Sequence, residues 1–308
     1  MLRFLLRRLL VIPLVMLIVN LIGFVYAYIL GPIQGLRTPS SFENSAAPSF
    51  IPSYLDYLRG MARLDFGTLP NGGSVADAIG RATLASAGLL IVAFTLSILL
   101  GLTLGRAGVR SDQPVVARWL TLLSIFGQSS PTFYIGVLFI SISVAYLLWG
   151  PKDGMPLPFQ GFGWDAHLVL PVLALMVRPT LQIAHTTANL LSDELGKQYV
   201  VALHGMGYSR RAIRGKFAFR NILALVILVI AGSWRMLVVE LIILERLFNW
   251  PGLGMLFSNT LILTSLSVNF LFPPLLAGLL PVLVFFFMSA DLIASLAARL
   301  VDPRLSAS

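Results

Sequence analysis

The sequence has no cysteine and only three histidines among its 308 residues. Without cysteine, the chain cannot form disulfide bonds, thiol nucleophiles or iron–sulfur centres. His167, His185 and His204 lie far apart, and none has a neighbour at the spacing of a zinc-binding motif. The sequence therefore gives no support for a metal site.

Charged residues are also scarce. They make up 11% of the chain, against roughly 25% in an average soluble domain, while hydrophobic residues make up 57% and mean hydropathy is +0.87. So few charges cannot cover a globular surface in water, and disorder or a collagen-like chain is excluded on the same grounds. The composition predicts a protein embedded in a lipid bilayer. Its net charge of +9 reflects membrane topology, and no nucleic-acid partner is expected.

Motifs for bond chemistry are missing as well. The sequence contains no phosphate-binding G-x-x-x-x-G-K-[ST], no G-x-S-x-G and no H-E-x-x-H. We therefore expect no enzymatic activity and no cofactor bound by this chain. A channel, a transporter subunit and an assembly scaffold all fit this description.

Six apolar segments are long enough to span a bilayer core of about 30 Å, which needs about 20 residues per helix. The first follows three arginines and exceeds the roughly 7–15 apolar residues of a signal peptide, so it is interpreted as a retained anchor. Pro131 is expected to break or kink the third. The six spans are about 9–30, 84–105, 119–149, 167–190, 221–244 and 271–297.

Lysine and arginine are distributed unevenly between the two faces that these spans define. The face with both termini carries 14 of them, whereas the face with segment 31–83 carries five. Basic residues favour the cytoplasmic side, which predicts cytoplasmic N- and C-termini. The sequence thus predicts an all-α polytopic membrane protein. It divides into an N-terminal part, 1–83, with an external loop at 31–83, a five-span core at 84–300 and a cytoplasmic tail at 301–308.

The segment 191–220, which is predicted to be cytoplasmic, has an unusual pattern. A short apolar helix around Val200 ends near Gly205 and Gly207, where a left-handed residue costs little. Ser209 then occupies an N-cap position before a second, basic helix. This helix–glycine–helix shape could fit a groove on a partner protein or lie on anionic lipid headgroups. The pattern alone leaves both open.

A few polar residues fall inside the predicted spans, where charge is costly and is a functional hypothesis by default. Glu240 could pair with Arg178 or with Arg235, either as a structural ion pair or as lining of a translocation path. Gln128 and Gln182 are further candidates for such a path, and Asp291 is a fourth charge in the spans. Separately, Gly101-x-x-x-Gly105 permits a close helix contact.

The segment from Tyr199 to Leu223 resembles the EAA loop of ATP-binding-cassette importer permeases, in particular the dipeptide/oligopeptide/nickel branch. Gly207 falls on the central glycine of that loop. The residues that follow match the pattern G-x-S-x-R…A-x-R-N-x-L, namely Ser209, Arg211, Ala218, Arg220, Asn221 and Leu223.

Three further motifs resemble the same branch, in order along the chain. Residues 245–254 are similar to E-x-x-F-x-W-P-G-L-G, residues 302–304 to a closing D-P-R, and residues 64–67 to an L-D-F-G element. The ordered set covers about residues 54 to 304. The chain is therefore identified as a candidate member of this permease branch.

The resemblance implies a type I importer permease fold in the inner membrane and roles for specific residues. Glu245 and its neighbour Arg246 are expected near the external interface, within reach of water; an interfacial Trp250 anchor is the alternative to a gate-forming turn. The residues implied to couple to an ATPase are Ala202, Leu203, Gly205, Gly207, Ser209, Arg211 and Arg214. Those implied to form the external gate are Glu245, Trp250, Pro251, Gly252 and Gly254.

The resemblance also implies partners and a mechanism. A second homologous permease, two cytosolic ATP-binding subunits that hold ATP and Mg, and an extracytoplasmic solute-binding protein would complete an importer that works by alternating access. Its cargo would be a short peptide, with nickel chelates, glutathione and other small solutes left open. The alternatives are a stand-alone channel or secondary transporter, and a membrane scaffold that anchors a cytosolic partner.

Overall fold

The computed structural model describes residues 2–35, 49–63, 65–70, 72–109, 114–150, 157–261 and 271–301. Within these ranges, the side chains of residues 2–9, 31–35, 291 and 293–301 are outside the description. Three predictions therefore fall outside the described residues: Leu64 of the L-D-F-G element, the D-P-R end, and the side chain of Asp291.

The described residues form helices joined by short connections. One 3-10 turn, Ala166–Leu168, precedes α6, and a π-helical segment, Ile213–Ala218, joins α8 to α9. The helices are α1 (Leu2–Gly35), α2 (Phe50–Ala62), α3 (Val75–Ala107), α4 (Arg118–Ser129), α5 (Thr132–Trp149), α6 (Val169–Leu195), α7 (Gln198–Gly205), α8 (Arg210–Ala212), α9 (Phe219–Phe248), α10 (Leu253–Leu261) and α11 (Pro273–Val301).

Six helical segments in the described part of the chain are long and apolar enough to cross a membrane by length and composition. This agrees with the predicted all-α polytopic class. Several helices are longer than the predicted spans. Helix α3, for example, begins at Val75 rather than near 84, because its first turns are helical although they contain the charged residues Asp77 and Arg81. The six segments are Leu10–Leu30, Val75–Ala107, Thr132–Trp149, Ala166–Leu195, Arg210–Phe248 and Pro273–Ala290.

Pro131 divides the predicted third span into two helices. Ser130 ends α4 with an extended backbone (ψ 123°), as expected of a residue before proline. Pro131 is itself extended and caps α5. The break confirms the prediction from the proline, and it leaves α5 alone as the part long enough to span.

The described chain divides into two compact units. The first contains the residues up to Ala87 together with Asn249–Met288, and the second contains Gly88–Phe248 together with the residues from Ser289. In the first unit, the buried amide of Asn20 on α1 donates to the Tyr57 hydroxyl (3.0 Å) and to the Ala277 carbonyl (2.8 Å). One side chain thereby joins α1, α2 and α11.

In the second unit, α6 is the most buried helix and packs against α4, α5 and α9. A stripe of small residues brings α3 against it. A Cβ on Gly101 would lie 2.8 Å from the Ile183 Cβ, and one on Gly105 would lie 2.7 Å from the Ala184 carbonyl oxygen. The predicted close contact of the glycine motif is therefore present, and its partner is α6.

Candidate functional site

The predicted loop between α6 and α9 contains the shape that the sequence indicated. Helix α7 ends in a Schellman motif: the Tyr208 N–H donates to the Leu203 carbonyl (3.1 Å) and the Gly207 N–H donates to the His204 carbonyl (3.0 Å). Gly207 has a φ of +83°, which favours glycine, although no atom would obstruct a Cβ there. Backbone conformation, not crowding, therefore requires glycine at 207.

A second cap restarts the helix. Ser209 has an extended backbone, and its Oγ accepts from the Ala212 N–H at 3.3 Å, as the N-cap prediction required. From Arg210 the helix continues through the π-helical segment into α9. Such segments are rare and often mark functional positions.

The outer surface of this loop is apolar at its end and basic beside it. We call residues 198–209 the α7 tip. Val201 and Met206 are each 72% exposed, and Tyr208 is also exposed. The exposed basic residues Arg211 and Lys216 lie just beyond the tip. Exposed apolar side chains on a short rigid helix are typical of a surface that docks into a groove.

The base of the α7 tip is held by a buried carboxylate on the last turn of α6. Glu194 is only 6% exposed, and its Oε1 accepts from the Tyr199 hydroxyl (2.9 Å) and from the Asn221 side-chain amide (2.9 Å). Lys197 forms an ion pair with it. We call these four residues the Glu194 cluster. It joins α6, α7 and the start of α9.

Burial raises the pKa of Tyr199 to about 12, and the hydrogen bond to Glu194 adds to the effect. The phenol therefore stays protonated at physiological pH and remains a donor to the carboxylate. The Asn221 amide also donates to the Tyr199 hydroxyl at 3.4 Å, so each of the three polar groups is hydrogen-bonded to the other two.

The opposite side of the loop is tied to the connection between α3 and α4. Arg214 donates to the Val109 carbonyl at 3.4 Å, and the Ser192 hydroxyl donates to the Pro114 carbonyl. The Arg106 guanidinium lies 3.6 Å from the centre of the Phe219 ring, a cation–π contact. Arg214, predicted to face an ATPase, thus has a partner within its own chain.

A groove of about 550 Å³ separates α7 from the helix that leads into α9. Its lining is mainly apolar but includes the basic side chains of Lys216 and Arg220. The residues that line it are Tyr199, Ala202, Leu203, Met206, Lys216, Phe217, Arg220 and Asn221. Ala202 and Leu203, two of the predicted coupling residues, therefore face this groove.

Among the spanning helices, the structure pairs Glu240 of α9 with Arg178 of α6. The Thr132 hydroxyl, at the start of α5, donates to the same carboxylate. Of the two partners that the sequence left open, Arg178 is the one found in this ion pair. Both side chains are half-buried, and a pair that is partly removed from water gains from further hydrogen bonds that offset its desolvation; Thr132 provides one.

Polar atoms next to this pair lack partners. The Arg178 Nε and the Gln182 Oε1, one turn apart on α6, are buried without a hydrogen bond inside the described part of the chain. Gln128 is half-buried at the end of α4, and Arg235 is exposed on α9. The structure thus brings Arg178 and Glu240 together, with Gln182 on the next turn of α6.

The Trp-Pro-Gly turn is a buried element of the first unit. Trp250 is fully buried; its Nε1 donates to the Ala85 carbonyl (3.0 Å), and the Leu253 N–H donates to the Ser86 hydroxyl (2.7 Å). Both acceptors are on α3. An interfacial tryptophan anchor would be exposed to headgroups, so this alternative is wrong.

The expectation for Glu245 is also wrong. Its side chain is fully buried, while Arg246 is exposed as expected. The reason is helical periodicity: Leu241 and Phe248, one turn away on either side, are buried, so Glu245 shares their inward face. After Phe248, Asn249 takes a left-handed φ of +54° and α9 ends.

Sequence reasoning missed Glu194, Thr132 and Ser86 as contributors to these sites. Glu194 carried a usable signal, because an acid at the end of an apolar span is followed by Lys197 at i+3 and Tyr199 at i+5. Ser86 and Thr132 carried none, because serine and threonine are common in spanning helices and their partners are more than 100 residues away.

Comparison with known proteins gives a consistent result. Residues 97–307 match the family model described as Binding-protein-dependent transport system inner membrane component. The chain is similar to the Peptide transport system permease protein SapB of Salmonella typhimurium, with 28% identity over 82% of this chain and 83% of SapB. It is also similar to the Oligopeptide transport system permease protein AppB of Bacillus subtilis, with 25% identity over 84% and 81% of the two chains. A putative peptide transport system permease of Brucella abortus is 24% identical over 75% of this chain and 72% of its own length.

Proposed function

Because the chain belongs to the family of binding-protein-dependent transport system inner membrane components, we propose that it is the permease subunit of an importer that moves short peptides. The α7 tip is the observation that carries the mechanism. It is a short helix stopped by Gly207 and restarted by Ser209, with exposed apolar residues at its end. The peptide cargo is supported by the relatives, since SapB, AppB and the Brucella protein are all named as peptide or oligopeptide permeases.

In this proposal an ATPase subunit binds the α7 tip in a groove on its surface. Val201 and Met206 supply the exposed apolar contact, and Arg211 supplies charge beside it. Gly207 and Ser209 fix the shape of the tip from within. Arg214 acts indirectly, because its hydrogen bond to Val109 holds the loop against the α3–α4 connection.

The remaining subunits follow from the same proposal. A second homologous permease would complete the membrane part, two cytosolic subunits would bind and hydrolyse ATP with Mg, and a solute-binding protein would deliver the cargo. The chain itself would bind neither ATP nor Mg, since its sequence has no phosphate-binding loop.

The translocation path is proposed to run beside the ion pair of Arg178 and Glu240. An intramembrane charge is tolerated where it is paired or faces a polar cavity, and the partnerless atoms of Arg178 and Gln182 call for water or a polar ligand. Gln128 and Arg235 are proposed to extend this polar surface. Movement of the ATPases would shift α6 and α9 as rigid bodies and change which side has access.

The Trp250 turn is proposed to form part of the external gate. Pro251, Gly252 and Gly254 shape the connection into α10, and two hydrogen bonds fix it to α3. Because Glu245 is buried in the second unit, we propose that it supports the end of α9 and does not contact cargo.

Co-purification tests the proposal. The chain, carrying an affinity tag, is expressed with its partner subunits, and recovery of the ATPase is measured with uptake of radiolabelled trialanine. Gly207→Pro combined with Arg211→Glu should abolish both while membrane insertion stays normal. Arg118→Glu, a charge reversal at an exposed position outside the tip, is the matched control and should leave recovery unchanged.

Other outcomes would favour the alternatives. Unchanged ATPase recovery in the double variant would reject docking through the α7 tip. Trialanine or ion flux through the purified chain alone in liposomes would indicate a channel or secondary transporter. ATPase recovery without any ATP-dependent uptake would indicate a scaffold.

A further inference from the structure

The Glu194 cluster lies where force from a partner would pass from the α7 tip into the membrane helices. Glu194 is on the last turn of α6, Tyr199 is on the first turn of α7, and Asn221 is on the first turn of α9. A single carboxylate thus contacts all three helices. The residues proposed to contact the ATPase directly, Val201, Met206 and Arg211, are not members of the cluster.

We propose that Glu194 is a positioning residue, which locks α7 to the bases of α6 and α9 so that movement of the tip is transmitted to both helices together. This rests on the proposed function and adds a residue to it. The backbone link between α6 and α7 is only Gly196 and Lys197, and glycine gives such a link freedom to bend. Without a side-chain lock, the tip could swing on this link and absorb the ATPase movement.

The chemistry of the cluster suits such a lock. Hydrogen bonds to a buried carboxylate are stronger than those between neutral groups, and both donors lie at 2.9 Å from the same oxygen. The Lys197 ion pair engages the other oxygen. With Glu194 only 6% exposed, water cannot easily replace these partners. Breaking the lock would leave a buried charge with too few partners, which resists opening.

A second set of contacts holds the base of the tip from the other side. Ser192 and Arg214 bind the α3–α4 connection on the other side of the loop. The base of the tip is therefore fixed on two sides, while Val201 and Met206 at its end are exposed. Force applied to Val201 or Met206 should then move α6 and α9 as one body.

The test separates coupling from assembly. The complete transporter is purified through a tag on this chain and reconstituted with its solute-binding protein. ATP hydrolysis and trialanine import are then measured on the same preparation, and their ratio is compared between variants. Glu194→Gln removes the charge at constant size, and Tyr199→Phe removes one donor. Asp193→Asn is the matched control, because Asp193 is the adjacent acid and is exposed.

We expect Glu194→Gln to keep ATPase recovery and hydrolysis but to lower the number of trialanine molecules imported per ATP about tenfold. A factor of about ten corresponds to the loss of one hydrogen bond to a charged group. Tyr199→Phe should lower import per ATP about threefold. The effect is smaller because Glu194 loses one donor and keeps Asn221 and Lys197. Asp193→Asn should leave the ratio unchanged. Glu194→Asp, which keeps the charge but shortens the side chain, should recover part of the ratio.

The chain has no native cysteine, so a single Val201→Cys spin label on the full chain, purified without its ATPase, can report on the tip directly. The label should be more mobile in Glu194→Gln than in the parent. An unchanged ratio in both variants, or loss of import and hydrolysis in equal proportion, would overturn the proposal. If Glu194→Gln does not assemble, Tyr199→Phe decides alone. Failure of the unmodified chain to recover an ATPase or to import trialanine would instead reject the proposed function.

Discussion

Two glutamates of the second unit, the buried Glu194 and the half-buried Glu240, show opposite ways of using a charge. Glu194, at the end of α6, has a lysine and a tyrosine from the next few residues and an amide from the start of α9. Glu240, within α9, has an arginine and a threonine from two other spanning helices. Polar atoms beside Glu240 have no partner in the described structure, whereas Glu194 is well supplied.

The difference indicates that the surroundings of Glu194 are rigid, whereas the surroundings of Glu240 can rearrange. A fully hydrogen-bonded carboxylate makes its surroundings rigid. An ion pair with partnerless polar neighbours can accept water or a ligand without losing an existing bond. The base of the α7 tip therefore depends on several small interactions. The ion pair of Arg178 and Glu240 is instead one large interaction between residues far apart in the chain. Four substitutions test this contrast.

The largest effect should come from separating the membrane pair. Arg178→Leu leaves Glu240 as an uncompensated charge and should destabilise the chain by about 3–5 kcal/mol. Arg178→Leu combined with Glu240→Leu should regain most of that stability, because both charges are gone. Unfolding in mixed detergent micelles measures the cycle. Equal losses in the single and double variants would show that the pair is not the source of the effect.

The Glu194 cluster should respond more weakly and more locally. Glu194→Gln is expected to cost about 1.5–3 kcal/mol, the range for hydrogen bonds to a charged group. Hydrogen–deuterium exchange should accelerate at the α7 amides and stay unchanged in the middle of α6. Asp193→Asn, on the exposed side of the same turn, is the control. Faster exchange along the whole of α6 would contradict a local role.

A smaller loss is expected at the glycine that ends α7. Gly207→Ala must adopt a φ near +83° and should cost about 1–2 kcal/mol. Gly205→Ala is the matched control, because a Cβ meets no atom at either position and Gly205 has no positive φ. Thermal unfolding should distinguish them. Equal melting temperatures would mean that the α7 tip tolerates another way of ending the helix.

The smallest effect concerns the second cap. Ser209→Ala removes the acceptor for the Ala212 N–H and should cost about 1 kcal/mol. Ser209→Asn keeps a capping side chain and should restore most of it. Exchange rates of the amides at 210–213 provide the measurement. If alanine and asparagine behave alike, the cap contributes nothing to the loop.

Much of the fold could be predicted from local pattern. Apolar length predicted six spanning segments, and Pro131 predicted the break between α4 and α5. Gly207 and Ser209 predicted where the loop helices stop and restart. These features depend on a few neighbouring residues, so one sequence is enough to specify them.

Other parts of the candidate site could not be predicted in this way. Trp250 lies next to residues that suggest an exposed turn, yet its indole is buried against α3. Glu245 is a charged residue near the end of a spanning helix, where contact with water is expected, but its side chain lies on the inner face of α9. Whether such side chains meet water or protein depends on which helices pack beside them, and local composition does not contain that information.

The sequence by itself determined the class of protein, the approximate positions of its spans and the shape of the α7 tip, because hydropathy, proline and glycine act on the nearby backbone. Tertiary structure alone decided that Glu240 pairs with Arg178, 62 residues away, and that Glu194 joins three helices. Such partners depend on the packing of whole helices. A difference of one turn in that packing would give each charge another neighbour.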